Sequence, residues 1–150
     1  MPAAQRYSGK YRVKKPHKYI GDHTNVSFRS SWERAAFIWC EKSDRVKKWG
    51  SEIVILDYIC GTDKKLHKYH VDLFIEWEDG TKSLIEIKPE RELSPPKKGK
   101  RQTKKYLIEV NAYIKNSSKF KVGESYAKKQ GWKWEIWTEH VMRGLGIRIV

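Results

Sequence analysis

The sequence of 150 residues is long enough for one domain with its own core, and its 32 Lys and Arg against 18 Asp and Glu give a net charge of +14. This basic excess predicts a polyanionic partner, of which nucleic acid is the commonest. No run approaches the roughly 18 apolar residues of a membrane span, and no apolar segment near Met1 could serve as a signal peptide. We therefore expect a cytoplasmic protein without membrane contact.

Residues 1–25 are basic and poorly periodic, with six Lys and Arg against one acid. We expect them to form an arm that is at most partly ordered, and the domain itself to cover residues 26–150. The tyrosines of this arm, Tyr7, Tyr11 and Tyr19, alternate with its basic residues. That pattern suits either stacking and phosphate contact on nucleic acid or a solubilising tail.

Residues 30–42 are predicted to form a helix, because their apolar residues recur at the spacing of one buried stripe. Ser30 and Glu33 form the S-x-x-E pattern of a capping box, in which the Glu carboxylate returns to the backbone amide of the cap residue. The pattern by itself gives Glu33 a structural role. The stripe consists of Trp32, Ala35, Ala36, Trp39 and Cys40.

Two strands are predicted next, at residues 46–49 and 52–60. Cys60 with His67 and His70 would offer three metal ligands, but the paired ligand spacing of a zinc site is absent. The sequence therefore predicts no zinc site. The two cysteines of the chain are also too few for a disulfide framework.

The run of residues 69–88, YHVDLFIEWEDGTKSLIEIK, reads as two strands joined at an Asp-Gly turn, because apolar residues alternate on both sides of it. A two-residue loop would place apolar residues opposite charged ones. A three-residue loop over residues 78–80, with Gly80 in the left-handed conformation, pairs Trp77 with Thr81 and apolar residues with apolar residues. The pattern therefore predicts the three-residue loop.

In that register Asp72 lies directly opposite Glu86, His70 lies opposite Lys88, and Lys88 emerges on the same face as Glu86. Two facing carboxylates destabilise a strand pair unless something compensates for their repulsion. A hard divalent cation such as Mg²⁺ would do so, and the carbonyl of Ile87 could add a ligand. If the bound ion serves phosphodiester hydrolysis, Lys88 would orient the water that attacks the phosphorus atom. The alternative is a solvated strand face on which the acids are too far apart to couple.

The basic charge concentrates after the hairpin, where Pro95 and Pro96 enforce an extended loop. This loop and the first turn of the next helix are the candidate clamp on the DNA backbone. The residues assigned to the clamp are Lys97, Lys98, Lys100, Arg101, Lys104 and Lys105.

Two helices are predicted at residues 102–115 and 118–130, with Leu107 on the buried side of the first and Gly131 capping the second. A strand follows at residues 132–138, and the tail either adds a final strand or packs on the domain. This order of an early helix, consecutive strands, two helices and a distal strand predicts an α/β protein of the α+β type. Its sheet would be mixed, with helices packed on it.

Asp72, thirteen intervening residues and then Glu86-Ile87-Lys88 resemble the D…(E/Q)-x-K core of the PD-(D/E)-x-K nuclease superfamily. The restriction-endonuclease-like fold of that superfamily has the order of elements predicted here. One departure is that Val71 stands where the superfamily has the proline of its name. The departure lowers the specificity of the motif more than it affects the chemistry.

The resemblance narrows to the TnsA-like endonucleases through the WER of residues 32–34, the central run of residues 69–89 and the WTE of residues 137–139. Residues 18–41, KYIGDHTNVSFRSSWERAAFIWCE, are further similar to the head-completion nucleases of T-even-type tailed phages. In TnsA-like enzymes the first catalytic acid comes from the early helix, and Glu33 occupies that place.

The resemblance implies an endonuclease that depends on Mg²⁺, with Mn²⁺ expected to substitute. It makes Glu33, Asp72, Glu86 and Lys88 the catalytic residues, and it places the metal on the three acids and Ile87. Double-stranded DNA would be cut or trimmed during phage head completion before tail joining, in the host cytoplasm or the virion head. Further implied partners are phage head or portal components and a second copy of the chain.

Two other functions stay open at this point. One is a non-catalytic DNA-binding protein of virion assembly, in which the acids are a relic or a structural feature. The other is the cleavage subunit of a transposase, against which the absence of an added DNA-binding domain argues.

Overall fold

The computed structural model describes residues 8–149, and all structural statements refer to this range. Two short 3₁₀ turns, Pro16–Lys18 and Glu90–Leu93, accompany the regular elements. In chain order these elements are β1 (Gly9–Lys10), β2 (Ser27–Phe28), α1 (Ser31–Lys42), β3 (Val46–Ser51), β4 (Ile55–Ile59), β5 (Leu66–His70), β6 (Leu73–Trp77), β7 (Lys82–Ile87), α2 (Lys104–Gln130), β8 (Lys133–Trp137) and α3 (Glu139–Gly144).

A four-stranded mixed sheet lies at the centre of the fold, in the order β3-β6-β7-β8. Strand β6 is antiparallel to both β3 and β7, whereas β8 joins β7 in parallel. Parallel neighbours need a long crossover connection, and the one between β7 and β8 carries α2. The predicted mixed sheet with packed helices is confirmed.

The two faces of this sheet are covered by different helices. Leu73, Ile75 and Ile85 pack in one core cluster with the buried residues of α1. Phe74 and Leu84, which point to the other face because strand side chains alternate, pack in a second cluster that includes a residue of α2. Within residues 8–149 no helix is both long enough and apolar enough to cross a bilayer.

The central hairpin has the predicted register. Leu73 pairs with Ile85, and the Trp77 amide donates to the Thr81 carbonyl at 2.8 Å. Gly80 has φ +87°, the left-handed conformation that a three-residue bulge loop requires of it. The three-residue loop is therefore confirmed.

The first strand of that hairpin is shorter than predicted, because the chain bends away from the central sheet before β6. Val71 donates its amide to the Val54 carbonyl at 3.0 Å, and this bond draws the chain toward β4. Strand β5 then pairs with β4 in a separate two-stranded sheet. His70 consequently pairs with Ile55, and its predicted position opposite Lys88 is wrong.

Residues 8–25 pack on the domain instead of extending as an arm. Tyr11 and Tyr19 are both buried, and the Tyr11 hydroxyl donates to Glu41 Oε2 at 2.5 Å. The prediction that these two rings stack on nucleic acid is wrong, because they lie inside the core. Tyr7 lies outside the described residues.

The two helices predicted after the basic loop form one continuous helix, α2. The prediction placed a break between them at residues 116–117. In the structure Ser118 Oγ donates to the Ile114 carbonyl at 3.0 Å and accepts the Gly61 amide at 3.1 Å. The serine is thus satisfied inside a helix and beside a turn, and the helix continues past it.

The ends of the last two helices show where pattern reasoning succeeded and failed. Gly131 caps α2 with φ +75°, as predicted. Leu107 is 43% exposed, contrary to prediction, because the buried residues of α2 lie in its second half. Helix α3, capped by a bond from the Val141 amide to Thr138 Oγ1 at 3.4 Å, was not predicted.

Candidate active site

A cleft of about 510 Å³ opens beside the end of β7, where this strand passes into the loop before α2. The four residues predicted to be catalytic, Glu33, Asp72, Glu86 and Lys88, all line it, together with Ile87. The cleft therefore gathers residues from α1, from both sides of the hairpin and from α2. Its remaining lining residues are Arg29, Ser30, Tyr69, His70, Pro89, Arg91, Glu92 and Lys119.

The hairpin register explains how Asp72 reaches this place. Trp77 and Thr81 form a hydrogen-bonded pair, and such pairs alternate with non-bonded ones, in which side chains lie closer. Continued by that alternation, the register sets Asp72 opposite Glu86 at a non-bonded position. Because the chain has turned toward β4, the Ile87 amide donates to Asp72 Oδ2 at 2.8 Å in place of a strand carbonyl.

The same bond fixes the orientation of the Ile87 backbone. In a strand the N–H and C=O of one residue point to the same edge, since bonded residues exchange both groups with one partner. The Ile87 carbonyl therefore faces the side on which Asp72 lies. Asp72, Glu86 and Ile87 all line the cleft at this point.

Glu86 is held from two sides in a buried position. It is 6% exposed, and its Oε1 accepts the Tyr69 hydroxyl at 2.5 Å. Its Oε2 lies 3.6 Å from Lys88 Nζ. The carboxylate is therefore oriented by a neutral donor and by a cation.

The surroundings of the carboxyl groups in the cleft disfavour their ionised form. Burial raises the pKa of Asp72 well above its ordinary value, and the neighbouring Glu86 and Glu33 raise it further. Burial likewise raises the pKa of Glu86, against the effect of Lys88 and the Tyr69 hydroxyl. Three carboxylates crowded in this way are stabilised as anions by a bound cation.

Glu33 stands in the first turn of α1, on the wall of the cleft. Its amide donates to Ser30 Oγ at 3.2 Å, so Ser30 caps the helix as predicted. The carboxylate accepts the amide of Arg29 at a long 3.5 Å, and not that of the cap residue as a capping box requires. The return half of the predicted box is therefore wrong, and burial raises the pKa of this carboxyl group as well.

A second group of potential ligands lies far from the hairpin acids, in the turn between β4 and β5. Ligand atoms of Cys60, Asp63 and His67 all lie within 4.8 Å of one another, and within residues 8–149 the three cleft carboxylates form no group this tight. Asp63, and not His70, joins Cys60 and His67. Asp63 Oδ2 lies 2.8 Å from His67 Nε2 and Oδ1 accepts the Lys65 amide, so these contacts close the turn.

The predicted clamp residues lie outside the cleft, in the loop that leads from it and in the first turn of α2. All six are exposed, and none forms an ion pair within the described part of the chain. A groove lined by Lys97 and Lys105 shares Arg91 and Glu92 with the cleft. The clamp and the cleft are therefore neighbours on one surface.

Among the lining residues that the sequence did not indicate, Tyr69 and Lys119 lie nearest to the Glu86 carboxylate in the network of contacts. Lys119 Nζ lies 5.6 Å from the centroid of the Tyr69 ring, and burial lowers the pKa of this lysine. The strand alternation marks Tyr69 as inward-facing, but nothing in the sequence indicates that its hydroxyl reaches Glu86. Lys119 is one of many lysines after the hairpin, and only the packing of α2 distinguishes it.

Comparison with known proteins gives two matches whose ranges include residues of this cleft. Residues 43–139 match the family described as TnsA-like endonuclease N terminal, a range that contains Asp72, Glu86 and Lys88 but not Glu33. The chain is also 36% identical over 146 residues to the Head completion nuclease of Enterobacteria phage T4. This second similarity covers 95% of the chain and 97% of that protein.

Proposed function

The chain belongs to the TnsA-like endonuclease family, and from this premise we propose that it cuts DNA by metal-dependent phosphodiester hydrolysis in the cleft beside β7. Its phage relative is named for head completion. We extend that role to this chain, as cutting or trimming of packaged double-stranded DNA before tail joining. The setting would be the host cytoplasm or the virion head, in contact with head or portal components.

One observation carries the proposal: Asp72 binds the Ile87 amide and so stands beside Glu86 at the end of the hairpin. The groups gathered there offer hard oxygen atoms, which are the ligands that Mg²⁺ accepts, and a bound cation would offset the burial that raises the pKa values of Asp72 and Glu86. Asp72, Glu86 and the Ile87 carbonyl would hold the ion. Because Mg²⁺ keeps several of its water ligands, Glu33 can contact the ion through one of these waters instead of directly.

Mg²⁺ is our assignment, with Mn²⁺ as its substitute, since both prefer carboxylate and carbonyl oxygens. When bound, such an ion supplies charge stabilisation at the phosphate and lowers the pKa of water. The protein residues do the rest by position. The Lys88 ammonium has three donors and no acceptor, so beside Glu86 it orients the attacking water and stabilises developing negative charge without acting as the base.

The substrate is held by its backbone. The clamp residues Lys97, Lys98, Lys100, Arg101, Lys104 and Lys105 present exposed cations next to the cleft, and contacts of that kind bind phosphates without reading sequence. Recognition therefore follows the shape or the end of the DNA. A second copy of the chain in a homodimer would cut the opposite strand.

The deciding experiment compares wild type with Lys88→Ala on linear, branched and supercoiled DNA in the presence of Mg²⁺. We expect cleavage to fall about 100-fold or more, in the range for loss of one stabilising donor, while DNA binding changes little. Lys82→Ala is the matched control, because Lys82 lies at the other end of β7 and pairs with Glu76. Undiminished cleavage by purified Lys88→Ala would remove the cleft as the active site.

The same assay distinguishes the alternative function. If wild type binds DNA with a steep salt dependence but cuts no substrate with any divalent metal, the chain is a non-catalytic DNA-binding protein.

A further inference from the structure

We propose that Lys119 and Tyr69 form a phosphate-binding position inside the cleft, which takes a backbone phosphate of the DNA next to the metal-binding acids. The proposal deepens the proposed function and rests on it. It adds a substrate-binding cation that comes from α2, on the opposite wall from Glu33 of α1.

The ring of Tyr69 is held in a fixed position beneath the Lys119 ammonium group. It is 1% exposed, and its hydroxyl is fixed by the 2.5 Å bond to Glu86. The ammonium group of Lys119 lies over the face of this fixed ring, at 5.6 Å from its centroid. A cation held over an aromatic face gains electrostatic attraction from it, so the lysine is directed into the cleft before any substrate arrives.

Lys119 has no anion at bonding distance. Within residues 8–149 it forms no ion pair shorter than 4.0 Å, although Glu86 and Asp72 act on it from farther away. A half-buried ammonium loses hydration, and a partner of opposite charge at bonding distance would compensate for that loss. A phosphate oxygen in the cleft would be that partner.

The charges of the cleft support the same assignment. Three carboxylates face the metal position, and a divalent ion with the Lys88 ammonium would balance them. Lys119 is then a cation in excess. This positive charge matches the single negative charge of a phosphodiester group, so Lys119 strengthens the attraction of the loaded cleft for the DNA backbone.

Helix α2 also gives this position a route from the clamp. Lys105 precedes Lys119 by fourteen residues, which is close to four helical turns and about 21 Å along the axis. The two lysines therefore lie on nearly the same side of the helix. A DNA strand that contacts the clamp at Lys105 can follow α2 into the cleft and meet Lys119 there.

The test replaces Lys119 by Met, which keeps the length of the side chain and removes its charge. DNA affinity is measured across a salt series at a fixed concentration of Ca²⁺, which also takes oxygen ligands and so loads the acids, and single-turnover cleavage is measured with Mg²⁺. We expect the slope of log K against log[salt] to fall by about 0.9, the value for one lost phosphate contact, and the cleavage rate to fall about tenfold or more. Lys119→Arg should retain most of both.

Lys121→Met is the matched control, because Lys121 is exposed on the same helix and lies two positions on, on a different side. Thermal unfolding of each variant separates lost packing on Tyr69 from lost charge. A Lys119→Met protein with the wild-type salt slope and cleavage rate would overturn the proposal, as would equal losses in Lys121→Met. A wild type that cuts no DNA would refute the proposed function, whereas the salt slope still decides the phosphate contact.

Discussion

The cleft and the clamp are neighbouring charged regions that are built in opposite ways. In the cleft, Glu86 is 6% exposed and each of its oxygens has an assigned neighbour. In the clamp, all six basic side chains are exposed, and none forms an ion pair with another residue of the range 8–149. The cleft therefore depends on where each charge stands, whereas the clamp depends on how many charges it presents.

This difference follows from screening. Charges in water are weakened by solvent and by salt beyond about 10 Å, so any one surface cation contributes little. Buried charges interact strongly and are costly to leave uncompensated. Single substitutions should thus have large effects in the cleft and small, additive effects in the clamp.

The largest effect is expected from Asp72→Asn. The amide oxygen can still accept the Ile87 amide, so the hairpin end stays in place, but the metal loses an anionic ligand. We expect cleavage to fall about 1000-fold or more, comparable to the loss of a central catalytic group. Asp57→Asn is the control, because that aspartate is exposed on β4 and pairs with Lys68. Cleavage within tenfold of wild type would contradict the assignment of Asp72.

The same variant has an opposite effect on stability. The folded state raises the pKa of Asp72, so it binds the proton more tightly than the unfolded state. Stability without metal therefore falls as pH rises above the ordinary carboxyl pKa. Asn removes this penalty, and its free energy of unfolding at neutral pH without metal should rise. Urea titration measures it, and a loss of stability would contradict the prediction.

How far the sequence predicts this site is clearest at the hairpin. Alternation of apolar residues is a local signal, and it was sufficient for the three-residue loop and for the alignment of Asp72 with Glu86. It could not reveal the bend at Val71, because that bend depends on a bond to Val54 on another strand. The bend matters, since it gives the Ile87 amide to Asp72.

The remaining errors also involve tertiary contacts. Ser118 is accommodated inside a helix because its hydroxyl accepts a hydrogen bond from the Gly61 amide. Gly61 is distant in sequence, so a local pattern does not predict this bond. Tyr69 and Lys119 meet only because α2 crosses the end of the hairpin. The basic and poorly periodic N-terminal residues predict an arm, yet Tyr11 is buried in the core and its hydroxyl donates to Glu41.

Lowering the pH should reduce cleavage in the cleft without reducing DNA binding by the clamp. Burial raises the pKa values of Asp72, Glu86 and Glu33, so protons compete for the metal position at a higher pH than ordinary carboxyl groups allow. We expect cleavage to fall about tenfold per pH unit below the midpoint, and more metal to move this midpoint to lower pH. DNA binding by the clamp should persist, because its lysines and arginine stay charged.

A pH series of cleavage at two Mg²⁺ concentrations, with binding measured in parallel, checks this prediction. A midpoint that does not move with the metal concentration would show that proton and metal do not compete in the cleft.

Glu33 gives an intermediate effect and decides between its two roles. Glu33→Gln should lower cleavage about 10- to 100-fold, because a charge at the metal position is lost. The helix cap should persist, because the backbone amide of residue 33 still donates to Ser30 Oγ and the Gln side-chain oxygen can still accept from that hydroxyl. Ser30→Ala is the structural comparison and should cost about 1 kcal/mol of stability as a lost cap. Full cleavage by a destabilised Glu33→Gln would make Glu33 a helix residue only.

The smallest single effects are expected in the clamp. Replacing Lys97, Lys100 or Lys104 by Ala should weaken DNA binding only a few-fold each at moderate salt, because each removes one exposed phosphate contact. Combined, the losses should add, and the slope of log K against log[salt] should fall by about 0.9 for each lysine removed. Binding by fluorescence anisotropy over a salt series measures both quantities.

The clamp variants also test whether the clamp acts on DNA binding alone or on the cleavage step as well. Because the lysines are exposed, their removal should leave the cleavage rate of bound DNA unchanged once enzyme is saturating. Lys68→Ala is the control, because that exposed lysine lies outside the clamp and pairs with Asp57. If one clamp lysine instead lowered the saturated rate as strongly as a cleft residue does, that side chain would act on the reacting phosphate. The loop would then fold over the cleft in the complex, and the clamp would belong to the active site.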